Sequence, residues 1–198
     1  MLRRGREQVG GDLLAYDADR PAVVAAQRDP RRFEALYRKY VAQVYSFAYY
    51  ELRDQHAAED VTATVFMRAL AGLPRFRERV DAPDSSFRVW LFQIARHALA
   101  NERRRVRRHP EAPLEAALDV PARDDVAGTV VRRQELLRAW RAIDALPTER
   151  RQAVTLRLVH EMSPADIAAV LGRSEGAVRV LVHRALRSVA RQLGRGDG

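Results

Sequence analysis

Arg179, His183, Arg184 and Arg187 fall at helical spacing, so a helix carrying them presents one cationic face. Such a row does the chemistry of polyanion binding. It neutralises phosphates, and a guanidinium fork can pair with guanine O6 and N7. The surrounding residues specify the elements that must hold the row. In SPADIAAVLGRSEGAVRVLVHRAL (163–186), Ser163 is a good N-cap, Pro164 suits the first helical position and Asp166 stands where a capping-box acid would. Ile167, Ala168 and Leu171 make one apolar face, and Gly172 supplies a left-handed stop. Ser174 caps the next helix, in which Val178, Leu181, Val182 and Leu186 turn inward. Two short helices about a tight turn, apolar within and basic without, are the layout of a helix-turn-helix lying in a major groove. An ordinary helical hairpin with a solvated basic face has the same pattern, so the rest of the chain has to decide.

Composition narrows the choice. The chain has 198 residues and no cysteine, which excludes disulfides and thiolate zinc sites. Five scattered histidines show no ligand spacing, and neither a phosphate-cradling glycine loop nor a nucleophile elbow occurs. No metal or other cofactor is expected, and no small-molecule substrate. No apolar run has the length of a membrane span, and the first residues lack a signal-peptide core, so a cytoplasmic protein is expected. The net charge is +9, and every basic residue but Lys39 is arginine. That makes a polyanionic partner plausible and says no more.

The distribution of charge is more telling. Residues 31–108 carry sixteen basic and nine acidic groups, and residues 131–193 carry twelve and six. Between them, residues 109–130 hold one basic and five acidic groups with Pro110, Pro113 and Pro121, the composition of a linker. Residues 1–30 are neutral, with only a short possible helix near Ala22–Gln27, and read as a mobile extension; residues 194–198 read as a tail.

Both blocks are helical in pattern. Phe33, Leu36, Tyr37, Tyr40, Val41, Val44, Phe47 and Ala48 form one stripe. A second helix over about 55–70 turns Val61, Val65, Phe66, Ala69 and Leu70 inward, with Glu59 and Asp60 read as first-turn acids. Gly72 and Pro74 end it, and 74–86 reads as a loop. A third helix from about Ser86 buries Phe87, Trp90, Leu91, Ile94, Ala95, Ala98 and Leu99, leaves Phe92 off the stripe as the more exposed aromatic, and ends in Arg103–Arg108. In the second block, 131–145 turns Leu136, Leu137, Trp140 and Ile143 inward, and 148–160 does so with Val154, Leu156, Leu158 and Val159. The expected fold is all-α, two small helical domains joined by a flexible acidic linker.

Four segments in this order resemble the bacterial sigma factors of the sigma-70 family, extracytoplasmic-function (ECF) type. FEALYRKY (33–40) resembles the start of their region 2. AEDVTATVFMRAL (58–70) resembles the part that docks on the polymerase clamp, and FRVWLFQIARHALANERRR (87–105) the part that melts and reads the −10 element. LPTERRQAVTLRLVHEMSPADIAAVLGRSEGAVRVLVHRAL (146–186) resembles region 4, which reads the −35 element.

The resemblance implies roles for particular residues. Core polymerase would be held through its clamp by Asp60 with Glu59, Thr64 and Arg68, and through its flap by region 4. The −10 element would be taken as a single strand with one base flipped out, by Phe76, Arg77, Trp90, Ile94, His97 and Asn101, while Arg103, Arg104, Arg105, Arg107 and Arg108 grip backbone phosphates. The −35 duplex would meet Arg173, Ser174, Glu175, Arg179, His183, Arg184 and Arg187. Thr64, His97 and the pair Val180-Leu181 depart from residues common in the family; Leu181 would either join the core or touch a thymine methyl. The acidic linker would thread toward the active-site channel or serve as a spacer. The resemblance further implies promoter DNA and an anti-sigma factor as partners. Two other readings stand beside it: a stand-alone regulator using only the helix-turn-helix, which leaves the first block idle, and a helical nuclease, for which no catalytic constellation appears.

Overall fold

Phe33, Leu36, Tyr40, Val44 and Phe47 recur every three or four residues and are all buried, which fixes the inward face of the second helix. A computed structural model describes residues 17–78, 85–108 and 130–194. Expectations for 1–16, for the interior of the 74–86 loop, for the linker and for the last tail residues lie outside the described residues. Among the described residues there are eight α-helices and no strand. They are α1 (Arg20–Arg28), α2 (Glu34–Leu52), α3 (Gln55–Gly72), α4 (Ser86–Arg108), α5 (Val130–Asp144), α6 (Thr148–Leu158), α7 (Pro164–Leu171) and α8 (Glu175–Leu193). Helices α1–α4 form one bundle, and α5–α8 form the other.

Local chemistry sets the helix ends. Asp54 caps α3 by accepting from the Ala57 amide at 2.7 Å, so the cap lies five and six residues ahead of Glu59 and Asp60. Those two acids therefore stand beyond the first turn, and the dipole account expected for them fails. The α2 helix ends on Arg53 in the left-handed region, at φ 57°. Ser163 and Ser174 cap α7 and α8 as the sequence indicates, accepting from Asp166 N at 3.1 Å and Ala177 N at 3.2 Å. Gly172 sits at φ +65° between them. Replacing Gly172 with alanine is expected to cost about 1 kcal/mol through backbone strain alone, since a Cβ there meets no atom within 4 Å. Urea denaturation of the full chain would measure it.

The structure moves the start of the first bundle. Residues 17–30, expected in a mobile extension, belong to its core: Val23 and Ala26 of α1 are 2% exposed, and so is Asp19. Charge balance and the shortness of α1 hid this.

The two bundles share a core through α4. Phe92, expected to be exposed, is fully buried against Phe47 (ring centroids 5.4 Å) and His160 (5.0 Å). The reason is that α4 packs on two sides. Residues of α2 and α3 cover one side, and α7 and the turn before it cover the other. Arg88 donates to the His160 carbonyl, and Gln93 Nε2 donates to the Ala169 carbonyl at 2.8 Å. At the end of α2, Tyr50 stacks on Trp140 of α5 at 4.3 Å. Arg53 pairs with Asp144, its guanidinium over both rings. Three residues expected to turn inward, Leu70, Leu158 and Leu186, are 41%, 54% and 42% exposed. They lie at the edges of their stripes, where no helix covers them.

Candidate nucleic-acid interface

The cationic row of α8 is available to a ligand. Arg173, Ser174, Glu175, Arg179, His183, Arg184 and Arg187 are all exposed along the start and outer face of α8. Two of the arginines carry exposed acid partners: Arg173 reaches Glu149 at 2.6 Å, and Arg179 reaches Glu175 one turn back. Exposed pairs of this kind are worth little and exchange readily for phosphate. Leu181 is half-buried and packs against the core. Val180 is the apolar group on the outer face instead, at 47% exposure. Sequence spacing could have found it, since 180 is one turn from 184.

The base-reading −10 candidates of α4 share one face. Trp90 and Ile94 are half-buried, and His97 and Asn101 are exposed, all on the side turned from the second bundle. Phe76 is 7% exposed. It packs on Trp90 at 4.9 Å and on Phe87 at 5.9 Å, so it serves as a wall rather than an open stacking platform. Together Arg75, Phe76, Arg77, Ser86, Val89, Trp90 and Gln93 line a cleft of about 190 Å³. Sites for drug-sized ligands run about 300–1,000 Å³, so this one suits a smaller planar group. Gly72 makes room for the indole, because a Cβ there would stand 3.0 Å from Trp90 Cζ2.

The arginine run at the end of α4 is not uniform. Arg103 lies on the face against the second bundle and donates to Glu51, whose side chain is fully buried. It is engaged in docking and is not the phosphate contact expected of it. Arg104 donates to Asn101, and Arg105 pairs with Glu102 at 2.8 Å. Arg107 and Arg108 are exposed.

The polymerase candidates sit close by. Asp60, Thr64 and Arg68 of α3 join Asn101, Glu102, Arg105 and Arg108 of α4 around a groove of about 300 Å³. Glu59 lies outside that groove and accepts from Gln55 at 3.0 Å. Beside them Met67 is 64% exposed and Tyr37 44%, the latter edge-on to Phe66 at 4.8 Å. Tyr37 was expected within the apolar stripe of α2 and Met67 had no expected place; unusual exposure of large apolar groups is the signal that puts both on the surface.

The model of sigma-70 region 2 matches residues 36–109, and that of sigma-70 region 4 matches 136–189. The ECF RNA polymerase sigma factor SigC of Mycobacterium tuberculosis is 34% identical over 164 residues, spanning 83% of this chain and 84% of SigC. The chain belongs to the ECF sigma factors of the sigma-70 family. The ECF sigma factor BldN of Streptomyces coelicolor is 31% identical over 81% of this chain, which spans 60% of BldN's length. Among solved structures, CnrH in complex with the cytosolic domain of CnrY aligns with a TM-score of 0.66 at 25% identity, covering 90% of this chain and 99% of that one. In this ECF sigma factor, region 2 falls on α2–α4 and region 4 on α5–α8.

Proposed function

We propose that this chain is a dissociable specificity subunit that binds core RNA polymerase and directs promoter-specific initiation. The observation that carries the reading is the pairing, in one ECF sigma factor, of a capped helix exposing an arginine row with a small aromatic cleft on a separate bundle. Helix α8 reads the −35 duplex, through Arg173, Arg179 and Arg184 to bases or phosphates and Ser174 and the neighbouring amides to the backbone. The cleft lined by Phe76 and Trp90, with Arg75 and Arg77 at its edge, takes one unstacked base of the −10 strand. Ile94, His97 and Asn101 continue the track, and Arg104, Arg105, Arg107 and Arg108 position phosphates. Capturing the open strand makes duplex opening favourable; the polymerase performs the covalent chemistry.

The polymerase clamp docks on α3 through Glu59, Asp60, Thr64 and Arg68, with Met67 and Leu70 adding apolar area, and the flap docks on region 4. An anti-sigma partner belongs to the same reading, since the CnrH structure holds the cytosolic domain of CnrY. Among the described residues no helix is long and apolar enough to cross a membrane. Work beside polymerase places the protein in the cytoplasm.

Run-off transcription with core polymerase on genomic fragments, with start sites mapped, tests the reading. Start sites sharing two upstream elements support it; tight duplex binding by the free chain without polymerase supports a stand-alone regulator instead. On a promoter so mapped, Arg179→Ala is expected to cost about 1–3 kcal/mol if the guanidinium reads a base, and to relax specificity at one position. Arg107→Ala is expected to weaken binding to all sequences alike and lower the salt slope by about one.

A further inference from the structure

The two walls of the cleft come from separate parts of region 2, and both are fastened to the N-terminal segment 17–28. On one wall, Gln27 Nε2 donates to the Leu73 and Phe76 carbonyls, each at 3.0 Å. Arg20 lies 3.6 Å from Glu78, just past Arg77. On the other wall, Asp17 Oδ2 accepts from the Ser86 amide at 2.7 Å, capping the start of α4 from almost seventy residues away. Asp19 is buried and accepts from the Ser85 hydroxyl, the Tyr40 hydroxyl and, at 2.6 Å, Lys39 Nζ. Asp17 also accepts from the Asp19 amide at 2.9 Å, so the two carboxylates move together. Phe76 and Ser86 both line the cleft and both take one of these bonds.

We propose that Gln27, Asp17 and Asp19 are positioning residues for −10 recognition: the segment 17–28 is a brace that sets the spacing between the Arg75–Arg77 wall and the Ser86–Gln93 wall. This rests on the reading that the cleft receives the captured base. The physical case is that a stacked base fits a slot only within a narrow range of widths. Those walls meet side chain to side chain where Phe76 packs on Phe87 and Trp90, and their relative position depends as well on whatever ties the two backbones. Here one nine-residue helix and the turn before it do so, anchored in the core by Val23 and Ala26. Contact with the base is not required of any of the three residues.

The test uses full-length chain bound to core polymerase. The probe is a fluorescent single strand carrying the non-template −10 sequence of a mapped promoter, and a second strand with the captured base replaced. Gln27→Glu keeps the volume but sets a carboxylate oxygen against two carbonyl oxygens. It is expected to lower affinity for the native strand about tenfold and to collapse the preference between the two strands. Core-polymerase binding and the thermal midpoint are expected to hold. Gln27→Lys, which restores a donor to both carbonyls, is expected to recover most of the preference. Asp17→Ala attacks the other wall and is expected to act in the same direction. Strand preference that survives both Gln27→Glu and Asp17→Ala overturns the proposal. So does a loss of preference that only tracks a loss of polymerase binding and midpoint, which is what a merely structural role gives. A wild-type complex with no strand preference at all overturns the functional reading, and the brace with it.

Discussion

Glu51→Ala is expected to weaken the docking of the two bundles by about 3 kcal/mol. The Glu51 side chain is fully buried at the end of α2. It receives Arg103 from α4, Arg151 Nε of α6 at 3.2 Å and Gln152 Nε2 at 3.5 Å. One carboxylate thus gathers cations from both bundles. Removing it leaves two guanidinium groups side by side with their shared counter-charge gone. Breaking a buried pair in this way costs about 3–5 kcal/mol, and the lower end applies because the arginines are 23% and 15% exposed and recover some hydration. The chain has no cysteine, so a cysteine pair introduced across α4 and α7 reports docking by its cross-linking rate. Replacing Glu51, Arg103 and Arg151 together by apolar residues of similar size is expected to restore most of the loss, since the desolvation cost of three charges goes with them. An unchanged cross-linking rate and urea midpoint in Glu51→Ala would show that the carboxylate contributes nothing to docking.

Lowering the pH from 7 to 5 is expected to loosen the same seam by about 2 kcal/mol through His160. Its ring is held edge-on to Phe47 and Phe92, and its Nε2 has no hydrogen-bond partner among the described residues. Burial, and then the charge of Arg88, lower its pKa from 6.5 to about 3. Arg88 is the charged group facing it from α4. From α2 and α6 it meets Phe47 and the Thr155 carbonyl, which accepts its amide at 3.3 Å. The docked form keeps the ring neutral, while a released ring titrates near 6.5. Separation therefore takes up a proton between those two values. The His160 contribution to docking is complete above pH 6.5 and falls as pH drops toward 3, at up to about 1.4 kcal/mol per pH unit. The wild-type cross-linking rate, taken as a ratio to that of His160→Leu at each pH so that the thiolate fraction common to both cancels, should fall as the pH drops. Parallel profiles for the two would rule His160 out as the sensor.

Much of region 4 was legible because its signals are local. A serine cap, a left-handed glycine and a second serine cap each act within four residues, and all three stand where spacing put them. The extent of α3 was legible for the same reason. What the sequence withheld depends on a second neighbour. Periodicity assigns one buried face per helix, yet α4 buries two, so Phe92 went inside, Trp90 came half out and Arg103 turned from solvent to Glu51. A short helix near Ala22–Gln27 was legible and is α1, but its place in the core was not, because the ties of segment 17–28 to Lys39, Tyr40, Leu73 and Ser85 join residues 20 to 66 apart, beyond any local pattern.

The family likeness to region 2 begins at residue 36, whereas the carboxylate that steadies Tyr40 and Ser85 stands at residue 19. A fragment begun at residue 36 would strand the Tyr40 phenol, which burial and the Asp19 charge keep protonated, and strip the amide at the head of α4 of its acceptor. Truncations of this protein should accordingly be cut upstream of Asp17, or the aromatic slot they are made to study will be measured without its hinge-pin.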